Sequence, residues 1–159
     1  MLSHSLRRFV GPALASLAIA TAACGGGDGG DTTGPSDPGV PADVSGTYAI
    51  NGIKTLGTLH GGGSGMPVTF TDGGGSSLTF NSGSLTLNGD NGYSLSVDAS
   101  FNGSAVTMTD EGTWSLAGNS ITFSPSGSPK RMKDGTVGGT KITARTQFGG
   151  IPFEITVQK

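Results

Sequence analysis

Apolar and polar residues alternate one for one along most of the chain beyond residue 43. Val44, Gly46, Tyr48 and Ile50 alternate with Ser45, Thr47, Ala49 and Asn51. Tyr93, Leu95, Val97, Ala99 and Phe101 alternate with Ser94, Ser96, Asp98 and Ser100. The same period of two recurs at Val68 and Phe70, Leu78 and Phe80, Leu85 and Leu87, Val106 and Met108, Trp114 and Leu116. It returns at Ile121 and Phe123, at Ile142 and Ala144, and from Ile151 through Phe153 and Ile155 to Val157. A strand sends successive side chains to opposite faces, so each stretch presents one apolar face and one Ser/Thr face. No stretch keeps a helical period. Turn chemistry separates the stretches: Asp72-Gly73, Asn88-Gly89-Asp90-Asn91-Gly92, Asn102-Gly103, Ala117-Gly118-Asn119, Ser126-Gly127, Gly138-Gly139 and Gly149-Gly150. Short loops of this kind join antiparallel neighbours. The pattern predicts an all-β domain, either an antiparallel up-and-down β-barrel of about 8–10 strands or a β-sandwich. A transmembrane barrel also alternates, but its strands run to about 9–11 residues between aromatic girdles. Most of these stretches are shorter, and their aromatics stand singly.

Residues 1–23 carry another pattern. Arg7 and Arg8 precede an apolar run from Phe9 to Ala20, and the small residues Ala22 and Ala23 precede Cys24. That is the order of a secretory signal. The run is shorter than the roughly 20 residues of a spanning helix. Thr21-Ala22-Ala23-Cys24 resembles the lipobox of bacterial lipoproteins, with Thr where Leu is usual. The resemblance implies a diacylglyceryl group and an N-acyl chain on Cys24. One acyl chain anchors marginally, at about 0.8 kcal/mol per buried methylene, whereas two or more hold stably. The expected partner is therefore a membrane, reached through lipid on Cys24, and the expected location is the bacterial cell envelope. Gly25 stands where Asp favours inner-membrane retention in proteobacteria, so the analogy points to the outer membrane. The alternative is an ordinary cleaved signal with a cysteine nearby by chance. Cys24 is the single cysteine in the chain, so no disulfide supports the domain.

Residues 24–43 are rich in Gly, Pro, Asp, Ser and Thr, and a disordered tether is expected there. As a Gly-rich coil it would span about 25 Å. Gly25, Gly27 and Gly30 fit G-x-G-x-x-G, without the strand before and helix after that the motif requires. Residues 26–31 fit a single calcium-binding repeat, a unit that works only in stacks.

Residues 44–159 are long enough to bury a core. They carry seven basic and seven acidic side chains, so nothing points to a nucleic-acid partner. His60-Gly61-Gly62-Gly63 matches an esterase oxyanion loop, but the chain has no G-x-S-x-G nucleophile elbow. A flexible glycine loop is the expected reading. Metal sites need clustered His, Cys or carboxylates. The adjacent Asp110 and Glu111 are expected at a hairpin end, pointing to opposite faces. Lys130-Arg131-Met132-Lys133 is the one basic cluster, read as charge that protects a sheet edge, with anionic lipid or an acidic partner as the alternative. No catalytic constellation, cofactor or metal is expected, and the chain reads as a non-enzyme.

Three stretches together carry a resemblance. They are Val44-Ser45-Gly46-Thr47-Tyr48, then Ser84 to Leu87 with Tyr93-Ser94-Leu95, then Glu111-Gly112-Thr113-Trp114 through Phe123. They resemble the bacterial lipocalin-like domain lipoproteins. The resemblance implies an antiparallel barrel of eight strands or slightly more, with an apolar interior. Two departures are plain. Trp114 comes late rather than on the first strand, and alternation puts Arg145 on the wet face. The expected function is a cell-envelope lipoprotein whose barrel binds a small apolar ligand. The alternative is a structural or protein-interaction lipoprotein with a filled barrel. Alternation nominates Tyr48, Phe80, Leu95, Phe101, Trp114, Phe123 and Phe153 as the large inward residues that would contact a ligand.

Overall fold

In the computed structural model, residues 44–159 are described, and they are strand and turn throughout. The strands are β1 (Gly46–Thr55), β2 (His60–Gly61), β3 (Gly63–Ser64), β4 (Val68–Thr71), β5 (Ser77–Leu87) and β6 (Gly92–Phe101). They continue as β7 (Ser104–Ala117), β8 (Ser120–Pro125), β9 (Asp134–Gly138), β10 (Lys141–Phe148) and β11 (Ile151–Gln158). Consecutive strands from β4 to β11 pair antiparallel, β11 pairs with β1, and β1 pairs with β5. That last pairing closes a barrel of eight strands and removes the sandwich alternative.

Apolar residues face in and Ser/Thr residues face out. Along β6, Tyr93, Leu95, Val97 and Ala99 are buried and Ser94, Ser96 and Asp98 are exposed. This is the reverse of a lipid-embedded barrel, whose apolar band faces outward. Among the described residues one continuous apolar core runs from Val44 to Val157.

The seam between β1 and β5 departs from simple alternation. The two strands pair only from Gly46 to Ala49 and from Ser84 to Leu87. Just beyond, each carries an irregularity, between Ile50 and Gly52 in β1 and between Phe80 and Ser82 in β5. An extra residue flips the alternation, so the buried series passes from Tyr48 and Ile50 to Ile53, and from Phe80 to Leu85 and Leu87. Gly83 belongs to this kink, since a Cβ there would stand 2.5 Å from Ile50 Cδ1.

The strands then diverge, and residues 60–71 fill the wedge. His60 and Gly61 pair with β4, then Gly63 and Ser64 pair with β1. The segment read as a flexible glycine loop is therefore a crossing strand. Gly61 has φ +125°, and a Cβ on it would lie 2.3 Å from the Thr69 carbonyl oxygen. Glycine is required there for both reasons.

The strand directions define two ends. At one end stand Val44, the turn at Asn88 to Asn91 and the C-terminus. Tyr48 plugs it, its hydroxyl donating to the Val44 carbonyl at 2.6 Å beneath the Lys159 ammonium. The other end carries the turns at residues 56–59, 72–76, 102–103 and 149–150. We call this end the mouth.

Candidate functional site

Aromatic residues occupy the interior beneath the mouth. Phe80 lies 5.8 Å from Phe70 and 5.3 Å from both Phe148 and Phe153, ring centre to ring centre. All four are buried. Toward the closed end Tyr93 and Phe123 stack edge to face at 5.1 Å. Of the residues nominated from sequence, Tyr48, Phe80, Leu95, Phe123 and Phe153 are therefore packing residues of the core. They fill the space a deep ligand would need.

Phe101 lines the cleft described below but is not buried. It keeps the inward alternation of β6 but falls on the last residue of the strand, above the level where the opposite wall covers it, and is 53% exposed. Trp114 also keeps inward alternation, yet it is only half-buried. It lies at the far end, where its indole N–H donates to the Asn88 carbonyl at 3.2 Å. It is no reporter of the mouth.

The space available is at the mouth itself. A cleft of about 420 Å³ opens between Leu59, Phe70, Leu78, Phe101, Val106, Met108, Phe148 and Ile151. Phe70 and Phe148 form its floor and join it to the aromatic core. Two charged side chains border it, Asp72 and Arg131. The Ser76 and Gly74 backbone N–H groups bond the Asp72 carboxylate within its own turn and hold its pKa below the ordinary value.

Arg131 is placed by a buried carboxylate. The pair Asp110 and Glu111 is not a hairpin end but the middle of β7, a strand of 14 residues. Asp110 points inward and is buried. Its Oδ2 accepts from the Tyr93 hydroxyl at 2.9 Å, the Met132 N–H at 2.8 Å and the Arg131 N–H at 3.3 Å. Those bonds fasten the segment before β9 across the wall of the barrel. Lys133 continues the ladder, its carbonyl accepting from Phe123 and its N–H donating to Arg145. The basic cluster thus lies between β8 and β10, and the edge-protection reading is overturned. The Arg131 guanidinium then donates through Nε to the Thr109 carbonyl at 3.0 Å and lies over the Phe148 ring, 5.7 Å from its centre.

Sequence reasoning missed Phe148, although alternation alone nominates it, since it continues Ile142 and Ala144 inward along β10. Asp110 and Arg131 carry no such signal, because their partners are about 20 residues away along the chain.

A family model described as a lipocalin-like domain matches residues 44–144, more than half of the chain. The chain belongs to the lipocalin-like domain family. No curated protein and no solved structure matches it. The match to the lipocalin-like domain ends within β10. Beyond that point β11 closes the lipocalin-like barrel against β1. A lipocalin-like fold is typically a binding fold rather than a catalytic one. Among the described residues no three His, Cys, Asp or Glu side chains come together.

Proposed function

We propose that this lipocalin-like chain is a non-enzymatic, lipid-anchored protein of the bacterial cell envelope that holds a small apolar ligand in the mouth cleft. The observation that carries the ligand reading is the apolar cleft of about 420 Å³ with Phe101 standing open beside it. Ligand sites typically run to about 300–1,000 Å³ and are mostly apolar with a few polar groups. The packed interior supports a ligand held above the aromatic cluster rather than within it. The anchor rests on the sequence before Cys24, which lies outside the described residues, as does the stretch 25–43.

The anchor and the ligand are tested separately. Labelled palmitate should enter the wild-type chain in its bacterial host and fail to enter Cys24→Ser. Equal labelling of the two would remove the anchor. For the ligand, residues 44–159 should bind at least one member of a panel of fatty acids, quinones and pigments in calorimetry. Micromolar affinity, about −8 kcal/mol, and a negative heat-capacity change are expected. Met108→Glu, at the cleft wall, should weaken binding about tenfold or more by placing a charge against the ligand. Trp114→Phe, at the far end, should change nothing. A flat panel would transfer the reading to the filled-barrel interaction protein, which the packed interior favours.

A further inference from the structure

The wall of the barrel is incomplete beside the cleft. β8 pairs with β7 only from Gly112 to Ala117. The stretch of β7 from Ser104 to Glu111 therefore has β6 on one side and, among the described residues, no strand on the other. The wall resumes with Arg131, whose carbonyl accepts from the Gln147 N–H of β10 at 3.1 Å. Between Val106 and Met108 of β7 and Phe148 of β10 the cleft opens sideways as a slot, and Arg131 stands at its foot.

Arg131 is held there by the protein alone. Its N–H donates to Asp110 Oδ2, its Nε donates to the Thr109 carbonyl, and its guanidinium lies over the Phe148 ring. Among the described residues nothing accepts from its Nη1 and Nη2 groups. A guanidinium carries five N–H donors in one plane, so with Nε engaged the two forked ends are left open. Arg145, by contrast, is engaged with Asp134, and Lys159 donates to the Ser45 carbonyl at the closed end. Neither carboxylate near the cleft pairs with Arg131. Asp110 turns its Oδ2 to backbone N–H groups and the Tyr93 hydroxyl, and Asp72 is exposed, with its Oδ1 bound by the Gly74 and Ser76 N–H groups of its own turn. The long side chain is ordered in advance, so an acceptor that meets it does not bear the entropy of fixing it.

We propose that the ligand of the cleft ends in a carboxylate, which the Arg131 guanidinium receives at the foot of the slot while the apolar body lies against Phe101, Val106, Met108 and Phe148. This rests on the cleft being the ligand site. The match is geometric as well as electrostatic. A carboxylate is planar and presents two oxygens, the complement of two parallel N–H donors of a guanidinium. The slot opens to solvent, so the lone pairs that Arg131 does not reach stay hydrated and the charge is never fully desolvated. The reversed pose sets the carboxylate among the apolar side chains and lays the hydrocarbon over the open guanidinium donors, so both polar ends lose their partners.

The full chain bearing Cys24→Ser, in which no attached lipid can compete for the cleft, is titrated in calorimetry with decanoate, decanol and decylamine. These probes share one hydrocarbon and differ only in the polar end. Decanoate should bind about tenfold more tightly than decanol, with decylamine the weakest. Adding Arg131→Gln should bring the decanoate-to-decanol ratio down to about one, and Arg131→Lys should restore a preference for decanoate because it restores the charge. The ratio is the readout. A purely structural role for Arg131 would weaken both probes alike and leave the ratio as it was, and that result would overturn the proposal. Equal binding of decanoate and decanol before Arg131 is changed would also overturn it, leaving the cleft as a site for neutral apolar compounds. A preference for decylamine would do the same and hand the polar end to Asp72. Silence from all three probes would remove the cleft reading itself, and the carboxylate with it.

Discussion

Phe80→Ala should lower the stability of the domain by about 3–5 kcal/mol, read from the urea midpoint of residues 44–159. Phe80 is fully buried and contacts Phe70, Phe148 and Phe153, which come from β4, β10 and β11. Removing its ring leaves three aromatic rings facing a void, and strands held by a closed hydrogen-bond ladder cannot collapse far to fill it. A domain of this size is worth about 5–15 kcal/mol in all, so the loss is a large share. Phe80→Leu fills most of the volume and should cost roughly half as much or less. A change below about 1 kcal/mol for the alanine variant would show that the rings do not pack as a unit.

Asp110→Ala should cost about 3 kcal/mol, because it strands three donors at once: the Tyr93 hydroxyl and the Arg131 and Met132 N–H groups. Asp110→Asn keeps an acceptor and should cost less. The local consequence is as informative as the midpoint. With the carboxylate gone, segment 126–133 loses the acceptor of its Arg131 and Met132 N–H groups, so trypsin should cut after Lys130 and Arg131 faster than in wild type. Unchanged cutting would mean that Asp110 does not fasten the segment. The same contact has an alkaline signature. Burial first, then the Asp110 carboxylate, raises the Tyr93 pKa well above its ordinary value. The unfolded phenol ionises near about 10 while the folded one stays protonated. Stability from Tyr93 is therefore complete below pH ~10 and falls as pH rises from there toward the folded value. In Tyr93→Phe the part of the alkaline decline due to this phenol should disappear.

The barrel was legible because alternation is a local property, and most of its strands meet that rule over their whole length. The places where reading failed are those where the rule itself is suspended. β5 reads as two fragments, around Phe80 and around Leu87, because the bulge between Phe80 and Ser82 inverts the faces midway. β7 also reads as two, since the buried Asp110 puts a charge where an apolar residue would mark the inward face. The crossing strand at Gly61 has no side chain to alternate. The site was less legible than the fold. Inward parity found Phe101 and Phe153 alike, but parity does not say how far up the wall a residue sits. Phe153 is sealed in the core and Phe101 stands in solvent. Height in the barrel depends on which partner each strand has and in what register, and that is settled by pairings between distant parts of the chain.

The divergence of β1 from β5 gives the barrel a taper. At the base the ring closes directly, β1 against β5, while at the mouth the crossing strand and β4 are interposed between them. The girth of a barrel grows with the strands in its circuit, so one continuous sheet is narrow where Tyr48 stoppers it and flared where the four phenylalanines gather. Aperture and base are thereby uncoupled. Changes confined to residues 60–71 can widen or narrow the opening and leave the stoppered end as it is, which makes this short insert the natural dial for the aperture.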